Sequence, residues 1–296
     1  MSNSITANVV MAPALRAYLL AHDPADLKKR IDRFHVRALN GIRSDDFRNE
    51  IAKVLEVPGK GTYVLPTNIQ PIPPGSPFFR ARTLDHECQI ETQDNVWEAP
   101  HGSSGPGRLN RQGESLLYTS ISSRQTAALE VGVVPGKLFS MAMFSSVFTV
   151  SAAVMTQRHS DHSLPMRIRK NLEMVTGFLD DIFMQGYAQR DAHDYSATFA
   201  LADELFNYPR QLQQGWVYRS VADPSPLGLN VCLRPEEAHA YLSLKAVTIN
   251  ICLSVDSMTG TIIVKTLRNL RPIGQRRFEE VPATDEITTW AYEGNG

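Results

Sequence analysis

The chain has 296 residues, of which 43% are hydrophobic and 21% are charged, and its formal net charge is -1 at pH 7. This length and mixture are typical of a globular protein with a substantial core, and they exclude a disordered or fibrous chain. Because the net charge is almost zero, no long-range field favours binding to nucleic acid or to anionic lipid.

The sequence predicts a cytoplasmic protein that binds neither membrane nor nucleic acid. Three scattered cysteines, Cys88, Cys232 and Cys252, are not typical of a disulfide framework and favour a reducing compartment. The first ten residues lack a basic stretch followed by an apolar run, so no secretory signal is predicted. Residues 138–157 carry no charge, but six of them are Ser or Thr, which favours two buried strands over a membrane span.

Residues 1–65 are predicted to form a helical N-terminal region. Asp23 followed by Pro24 is a typical helix start, with Asp as the N-cap and Pro in the first turn. The apolar stripe of this helix is Leu27, Ile31 and Phe34. A second helix is predicted after the capping pair Ser44 and Asp45, and its apolar positions are Phe47, Ile51 and Leu55.

A linker is predicted next, followed by a mixed domain. Residues 66–77 contain five prolines and one glycine, which neither a helix nor a central strand tolerates. In residues 78–296, helices and strands are interspersed without a regular strand–helix repeat, and this favours an α+β fold over a doubly wound sheet.

Several elements of the mixed domain are predicted from periodicity and turn residues. Ser122 with Gln125 forms a capping-box pattern at the start of a helix. Helical periodicity is present in residues 166–185 and 195–213. Strands are predicted at 115–120, 215–221 and 228–233, and a C-terminal β-hairpin at 241–267 with its turn at residues 258–260.

Common cofactor motifs are absent from the sequence. The segment at residues 132–137 has the wrong spacing for a phosphate loop, and no dinucleotide-binding glycine pattern follows a strand. No metal site is predicted, because the spacing of the polar cluster matches no zinc pattern. That cluster contains His159, Asp161, His162, His193 and Asp194. A basic run, Arg268, Arg271, Arg276 and Arg277, is interpreted as a solvated face.

Four short segments carry polar residues in strand-like or tightly turned surroundings. FFRAR at residues 78–82 places Arg80 and Arg82 on one face of an extended segment, and the glycine-rich loop GPGRLN at 105–110 delivers Arg108. Arginines from two such elements are suited to clamping a pyrophosphate. Glu130 lies in the apolar run 127–134 and is predicted to be largely buried, which is costly without a partner or a task.

The fourth segment is GWVYRS at residues 215–220, which carries Tyr218 and Ser220, followed by Asn230 on the next strand. Each segment taken singly has an ordinary structural explanation. The arginines fit an edge strand, Glu130 fits a helix end, and Ser220 fits a structural hydroxyl. Only their combination points to a site.

The order of FFRAR, GRLNRQG (107–113), LLYTS (116–120), TAALEV (126–131), YSAT (195–198), GWVYRS and GLN (228–230) resembles the RES-domain family. The resemblance covers about residues 78–233. It implies an α+β fold with a mixed β core and flanking helices, similar to that of ADP-ribosyltransferase toxins, within residues 78–296. The family is named after an arginine, a glutamate and a serine. The arginine matches Arg80, with Arg82 as a near alternative, the glutamate matches Glu130, and the serine matches Ser220.

The resemblance also implies a function and a set of contacts. Members act on NAD as bacterial toxins paired with an antitoxin or immunity protein, so NAD is expected here as the substrate, without a metal. Catalytic roles fall to Glu130, Arg80 and Ser220. NAD contacts are expected from Arg82, Arg108, Asn110, Tyr118, Tyr218 and Asn230. Hydrolysis or phosphorolysis of NAD is the expected reaction. ADP-ribosylation of a protein, an inactive binding module and homo-oligomerisation stay open.

Overall fold

The computed structural model describes residues 13–39, 41–42, 46–61, 63–66, 68–121, 123–155, 163–185, 195–207, 209–225, 227–282 and 287–291. The chain divides into two compact units, one within residues 1–67 and 157–205 and the other within residues 68–156 and 206–296. The first is helical and the second is built on a large sheet, so the α+β prediction is confirmed.

The helices of the described residues are α1 (Pro13–Ala21), α2 (Pro24–Leu39), α3 (Phe47–Leu55), α4 (Arg124–Glu130), α5 (Met166–Gln185), α6 (Ser196–Ala200) and α7 (Pro235–Tyr241). The strands are β1 (Asn68–Ile72), β2 (Pro77–Leu84), β3 (Leu117–Ser120), β4 (Leu138–Ser146), β5 (Val150–Val154), β6 (Gly215–Arg219), β7 (Leu229–Leu233), β8 (Leu242–Val255), β9 (Ile262–Ile273), β10 (Arg277–Val281) and β11 (Ile287–Trp290). None of these helices is long and apolar enough to cross a membrane.

The helical unit contains α1, α2, α3, α5 and α6. The predicted start of α2 is confirmed, because Oδ1 of Asp23 accepts the Ala25 N–H at 2.8 Å. The predicted apolar stripes of α2 and α3 are buried. Phe34 of α2 packs edge-on against Phe178 of α5, with ring centroids 4.9 Å apart. The predicted caps Ser44 and Asp45 lie outside the described residues.

The division between the units differs from the predicted boundaries. Residues 157–205 group with the N-terminal helices, so the helical unit is not confined to residues 1–65. The predicted linker at 66–77 contains β1, which pairs antiparallel with β5. Pro71 is tolerated in β1 because this strand lies at the edge of the sheet, where an N–H on the open side needs no partner. Proline content alone therefore suggested a linker where the chain forms an edge strand.

The sheet has the strand order β1-β5-β6-β7-β3-β2-β4-β8-β9-β10, and β11 also pairs with β9. All neighbours are antiparallel except β5 and β6. Apolar side chains form two core clusters, one with Phe78 and Phe144 and another with Phe79 and Phe139. Phe78 and Phe79 belong to different clusters because successive side chains of a strand point to opposite faces.

Two neighbouring strands of this sheet, β2 and β3, are paired over an unusually small number of residues. β2 pairs with β4 over eight residue pairs, but it pairs with β3 only at Phe79 and Ser120. The two strands therefore diverge beyond that pair. This opening lies beside α4, which packs against β2 and β3.

Several predicted elements are confirmed in the sheet unit. The uncharged stretch 138–157 contains β4 and β5. The hairpin predicted at 241–267 is formed by β8 and β9, and β9 extends beyond the predicted end to Ile273. Gly260 adopts a positive φ of 71° in the hairpin turn, a conformation that glycine adopts without strain. Arg268, Arg271 and Arg276 pair with Glu280, Glu279 and Asp94, as expected for a solvated face.

Two helix predictions need correction. The N-cap of α4 is Ser123, whose Oγ accepts the Thr126 N–H at 3.1 Å, and Ser122 lies outside the described residues. The helix predicted over residues 195–213 consists only of α6 and a π-helical turn at Leu201–Leu205. Pro209 follows shortly afterwards, and a proline in a helix interior removes a backbone hydrogen bond.

Candidate active site

A cavity of about 190 Å³ lies in the sheet unit beside the opening between β2 and β3. Its walls come from β2, β3, α4, β6 and β7. Five of the residues predicted to form the site line it, namely Arg80, Tyr118, Glu130, Tyr218 and Asn230. Residues from distant parts of the sequence therefore meet here because β3, β6 and β7 are neighbours in the sheet.

Glu130 is the last residue of α4, and its carboxylate is anchored through a single oxygen. Oε1 accepts the Ser220 hydroxyl at 2.5 Å and the Asn230 amide Nδ2 at 2.7 Å. Among the residues that the structure describes, Oε2 accepts no hydrogen bond. The carboxylate is thus held in one orientation while its second oxygen keeps its accepting capacity for another group.

The prediction that Glu130 is largely buried is wrong, because the residue is exposed. The apolar run suggested burial, but this part of it is helical. Gln125 to Ala128 are buried, whereas Glu130 is the last residue of α4 and lies at the exposed end of the helix. The carboxylate is consequently accessible from outside, as a group that meets a ligand must be.

Ser220 contacts Glu130 and does not line the cavity. Its side chain is 2% exposed, its hydroxyl donates to Glu130, and its Oγ accepts the Asp223 N–H at 3.0 Å. A hydroxyl has one proton to donate. Because that proton is directed to Glu130, Ser220 acts on the position of the carboxylate.

Arg80 borders the opening between β2 and β3. Its Nη1 donates to the Tyr118 carbonyl at 3.2 Å, and its Nε is inaccessible and has no partner among the described residues. Burial, and then the nearby charge of Arg82, lower the pKa of Arg80 to about 10, while Glu98 acts in the opposite direction. The guanidinium is therefore cationic at neutral pH, but it is poorly solvated and incompletely paired.

Two tyrosines give the cavity an aromatic, uncharged wall. Burial raises the pKa of Tyr118 well above its usual range. Burial, followed by the negative charge of Glu130, does the same for Tyr218. Both side chains are therefore neutral phenols at physiological pH. Each provides a flat apolar surface and a neutral hydroxyl, so neither adds a second negative charge beside that of Glu130.

The glycine-rich loop before β3 is tied to the cavity wall through Tyr118. The Tyr118 hydroxyl donates to Oδ1 of Asn110 at 2.7 Å and accepts the Leu109 N–H at 3.1 Å. A Cβ on Gly107 would overlap Oδ1 of Asn110 and lie 2.9 Å from the Tyr118 oxygen. Only glycine at position 107 leaves room for this contact.

Three residues predicted to contact the ligand do not line the cavity. Arg82 is exposed, and its Nη1 donates to the Asn95 carbonyl at 3.0 Å. Asn110 is 4% exposed and uses its amide within the loop, donating to the carbonyls of Gly105, Arg111 and Glu114. Arg108 is half-buried and close enough to lower the pKa of Tyr218, so it lies near the cavity but outside its lining.

Two buried residues next to the site were missed from the sequence. Asp223 accepts the Thr126 hydroxyl at 2.6 Å, and both side chains are almost inaccessible. An aspartate in a loop rich in Pro and Ser is typical of an ordinary turn, so no sequence signal distinguished it. Among the described residues, no three His, Cys, Asp or Glu side chains are grouped to hold a metal ion. The histidine and aspartate cluster considered from sequence lies outside the described residues.

A family model of the RES domain matches residues 77–255, which is more than half of the chain. The chain belongs to the RES-domain family. No curated protein and no solved structure matches it significantly. The RES domain contains every residue that lines the cavity, and β1 and β9 to β11 lie outside the matched residues.

Proposed function

We propose that the chain cleaves the bond between nicotinamide and ribose in NAD, as a NAD glycohydrolase or phosphorylase. The observation that carries this proposal is the carboxylate of Glu130. One of its oxygens is fixed by Ser220 and Asn230, and the other has no hydrogen bond among the described residues, at a cavity that Arg80 also lines. Membership of the RES-domain family supports the same reaction.

Glu130 supplies the charge that this chemistry needs. Nicotinamide leaves as a neutral base with the electron pair of the C–N bond, so positive charge develops on the ribose carbon. A carboxylate beside that carbon stabilises the oxocarbenium-like transition state, as it does in glycosidases. Water then adds to the carbon and releases a proton, which gives ADP-ribose and nicotinamide. In phosphorolysis, phosphate oxygen adds in place of water.

The remaining residues bind and orient the substrate. The cavity volume of about 190 Å³ is below the roughly 300–1,000 Å³ of pockets that enclose whole ligands. We therefore place the nicotinamide riboside end in the cavity, against Tyr118 and Tyr218. Arg80 and Arg108 neutralise the diphosphate, because guanidinium groups bind phosphate oxygens in paired geometry. No metal is required by this scheme.

The decisive experiment measures nicotinamide release from NAD by the purified chain. Release above the buffer rate, with ADP-ribose as product, supports hydrolysis. A phosphorylated ADP-ribose that forms only in phosphate buffer supports phosphorolysis. ADP-ribose recovered on lysate proteins by mass spectrometry would replace the proposal with protein ADP-ribosylation. Release no faster than in buffer, from a folded chain, would replace it with a binding module.

We also propose that the chain acts as a toxin in the cytoplasm and is inhibited by an antitoxin or immunity protein. Expression of the wild type in bacteria should then lower cellular NAD and arrest growth. The Glu130→Gln variant, expressed to the same level, is the matched control and should do neither. Equal growth and equal NAD in the two strains would contradict toxicity.

A further inference from the structure

Asp223 joins the segment between β6 and β7 to helix α4, beside the Glu130 carboxylate. It lies in the segment between β6 and β7, and its side chain is only 5% exposed. Its backbone N–H donates to Oγ of Ser220 at 3.0 Å, its Oδ1 accepts the Ser225 N–H at 2.9 Å, and its Oδ2 accepts the Thr126 hydroxyl at 2.6 Å. One residue thus contacts both the hydroxyl that holds Glu130 and the helix that carries it.

The positions of Thr126 and Glu130 on α4 make this contact effective. The two residues are four apart, so their side chains lie on the same face of the helix, one turn from each other. At one end of this face Thr126 binds Asp223, and at the other end Glu130 binds Ser220. Helix α4 has seven residues. These two hydrogen bonds therefore attach it to the β6–β7 segment near both of its ends.

Asp223 also determines where the Ser220 proton points. Because the Asp223 N–H donates to Oγ of Ser220, the hydroxyl proton must be directed to a different neighbour, and Glu130 is that neighbour. The segment has little freedom to change this arrangement. A Cβ on Gly228 would lie 2.9 Å from Oδ2 of Asp223, so the returning chain packs directly against the carboxylate.

We infer that Asp223 is a positioning residue, which fixes the Glu130 carboxylate by tying the first turn of α4 to the segment that carries Ser220. This inference rests on the proposed function for its catalytic consequence, whereas its structural part is independent of the substrate. Asp223 does not touch the cavity, so it acts through Ser220 and α4. Loss of the hydrogen bond between Asp223 and Thr126 should lower kcat with little effect on KM for NAD.

The test removes the link with substitutions close in size. Thr126→Val deletes the hydroxyl, and Asp223→Leu keeps the backbone N–H to Ser220 while removing both oxygens that could accept the Thr126 hydroxyl. Each variant should lower kcat about 10-fold, with KM within about twofold. The double variant should be no worse than either single variant, because both changes break the same hydrogen bond. Thr126→Ser restores a hydroxyl and should recover most of kcat.

The matched control is Thr266→Val, which removes a threonine hydroxyl that donates to Oδ1 of Asn250 within β8 and β9. A general loss of stability would lower Tm in both valine variants, but only Thr126→Val should lower kcat. A Thr126→Val enzyme with wild-type kcat would overturn the inference. So would a double variant whose loss equals the product of the single losses.

Hydrogen exchange separates this inference from the proposed function. The amides of residues 219–225 should exchange about 10-fold faster in Thr126→Val than in the wild type, and at the wild-type rate in Thr266→Val. If the wild type does not consume NAD, the proposed function fails, and the exchange rates alone decide whether the link exists. Unchanged exchange in Thr126→Val would overturn the link whatever the activity.

Discussion

The hydroxyl of Tyr118 donates to the side-chain oxygen of Asn110 at 2.7 Å. This hydrogen bond joins a wall of the cavity to the glycine-rich loop that carries Arg108. The loop therefore takes its shape from contacts with β3 as well as from its own turn residues. Its geometry near the cavity depends on the small residue at position 107.

Gly107→Ala should disrupt this loop, because the new Cβ would overlap Oδ1 of Asn110. We expect the KM for NAD to rise about 10-fold, since Arg108 and Tyr118 would be displaced. Gly105→Ala is the matched control, because a Cβ there meets no atom within 4 Å. Steady-state kinetics on both variants checks this. Equal kinetics in the two would show that the loop contact is unimportant for binding.

Glu130→Gln should lower kcat about 100-fold or more, because the amide keeps the shape of the side chain but loses the charge that stabilises the transition state. The fold should be unaffected, since Glu130 is exposed at the end of α4. Nicotinamide release and thermal unfolding measure the two effects. Glu279→Gln, which changes an exposed carboxylate in β10, serves as the control. A Glu130→Gln enzyme with near wild-type kcat would rule out Glu130 as the catalytic carboxylate.

Ser220→Ala and Asn230→Ala each remove one of two donors to the same oxygen of Glu130. We expect each to lower kcat about 10-fold, because one remaining hydrogen bond leaves the carboxylate free to rotate. The double variant should lose less than the product of the single losses, as coupled contacts do. Steady-state kinetics on the wild type, the two single variants and the double variant completes this double-mutant cycle. Strictly multiplicative losses would mean that the two donors act independently.

Arg80 and Arg82 should differ strongly although they are two residues apart on β2. Arg80→Ala should lower kcat/KM about 10- to 100-fold, since it removes a half-buried cation that lines the cavity. Arg82→Ala should stay within about threefold of the wild type, because that side chain is exposed and directed to the Asn95 carbonyl. The same NAD assay compares them. A larger loss of kcat/KM in Arg82→Ala than in Arg80→Ala would show that the arginine after which the family is named matches Arg82.

Binding of ADP-ribose should weaken as the pH rises through about 10, the lowered pKa of Arg80. Below this pH the guanidinium is protonated and attracts the diphosphate, and above it the group is neutral and the attraction is lost. Calorimetric titrations between pH 8 and 11 measure the dissociation constant. Arg80→Met should bind weakly and show no inflection near pH 10. An inflection of equal size in that variant would assign the titration to another group.

Much of the site was predictable because several short segments, in their order along the chain, resemble the RES-domain family. Arg80, Tyr118, Glu130, Tyr218 and Asn230 were named from sequence, and all five line one cavity. Alternating polarity and turn residues likewise predicted β4, β5 and the β8–β9 hairpin. These features depend on a few neighbouring residues, and such patterns are visible in a single sequence.

Other features depend on tertiary contacts that no local pattern contains. The exposure of Glu130 follows from its position at the end of α4 and not from its apolar neighbours in sequence. The carboxylate of Asp223 contacts Thr126, which is 97 residues away in sequence, and no local pattern contains such a contact. Arg82 and Asn110 were expected to contact NAD, but their hydrogen bonds lie within neighbouring loops. The predicted linker failed because an edge position in the sheet tolerates proline.

The single residue pair between β2 and β3 has a consequence for substrate entry. In most sheets, separating two neighbouring strands breaks a whole ladder of backbone hydrogen bonds. Here the backbone pairing between β2 and β3, within the part of the chain that the structure describes, consists of Phe79 and Ser120, and the Arg80 side chain adds one hydrogen bond to the Tyr118 carbonyl. Fewer backbone hydrogen bonds therefore oppose a separation of β2 from β3 than oppose a separation of β2 from β4, so the weakest edge of the cavity is the one beside Arg80.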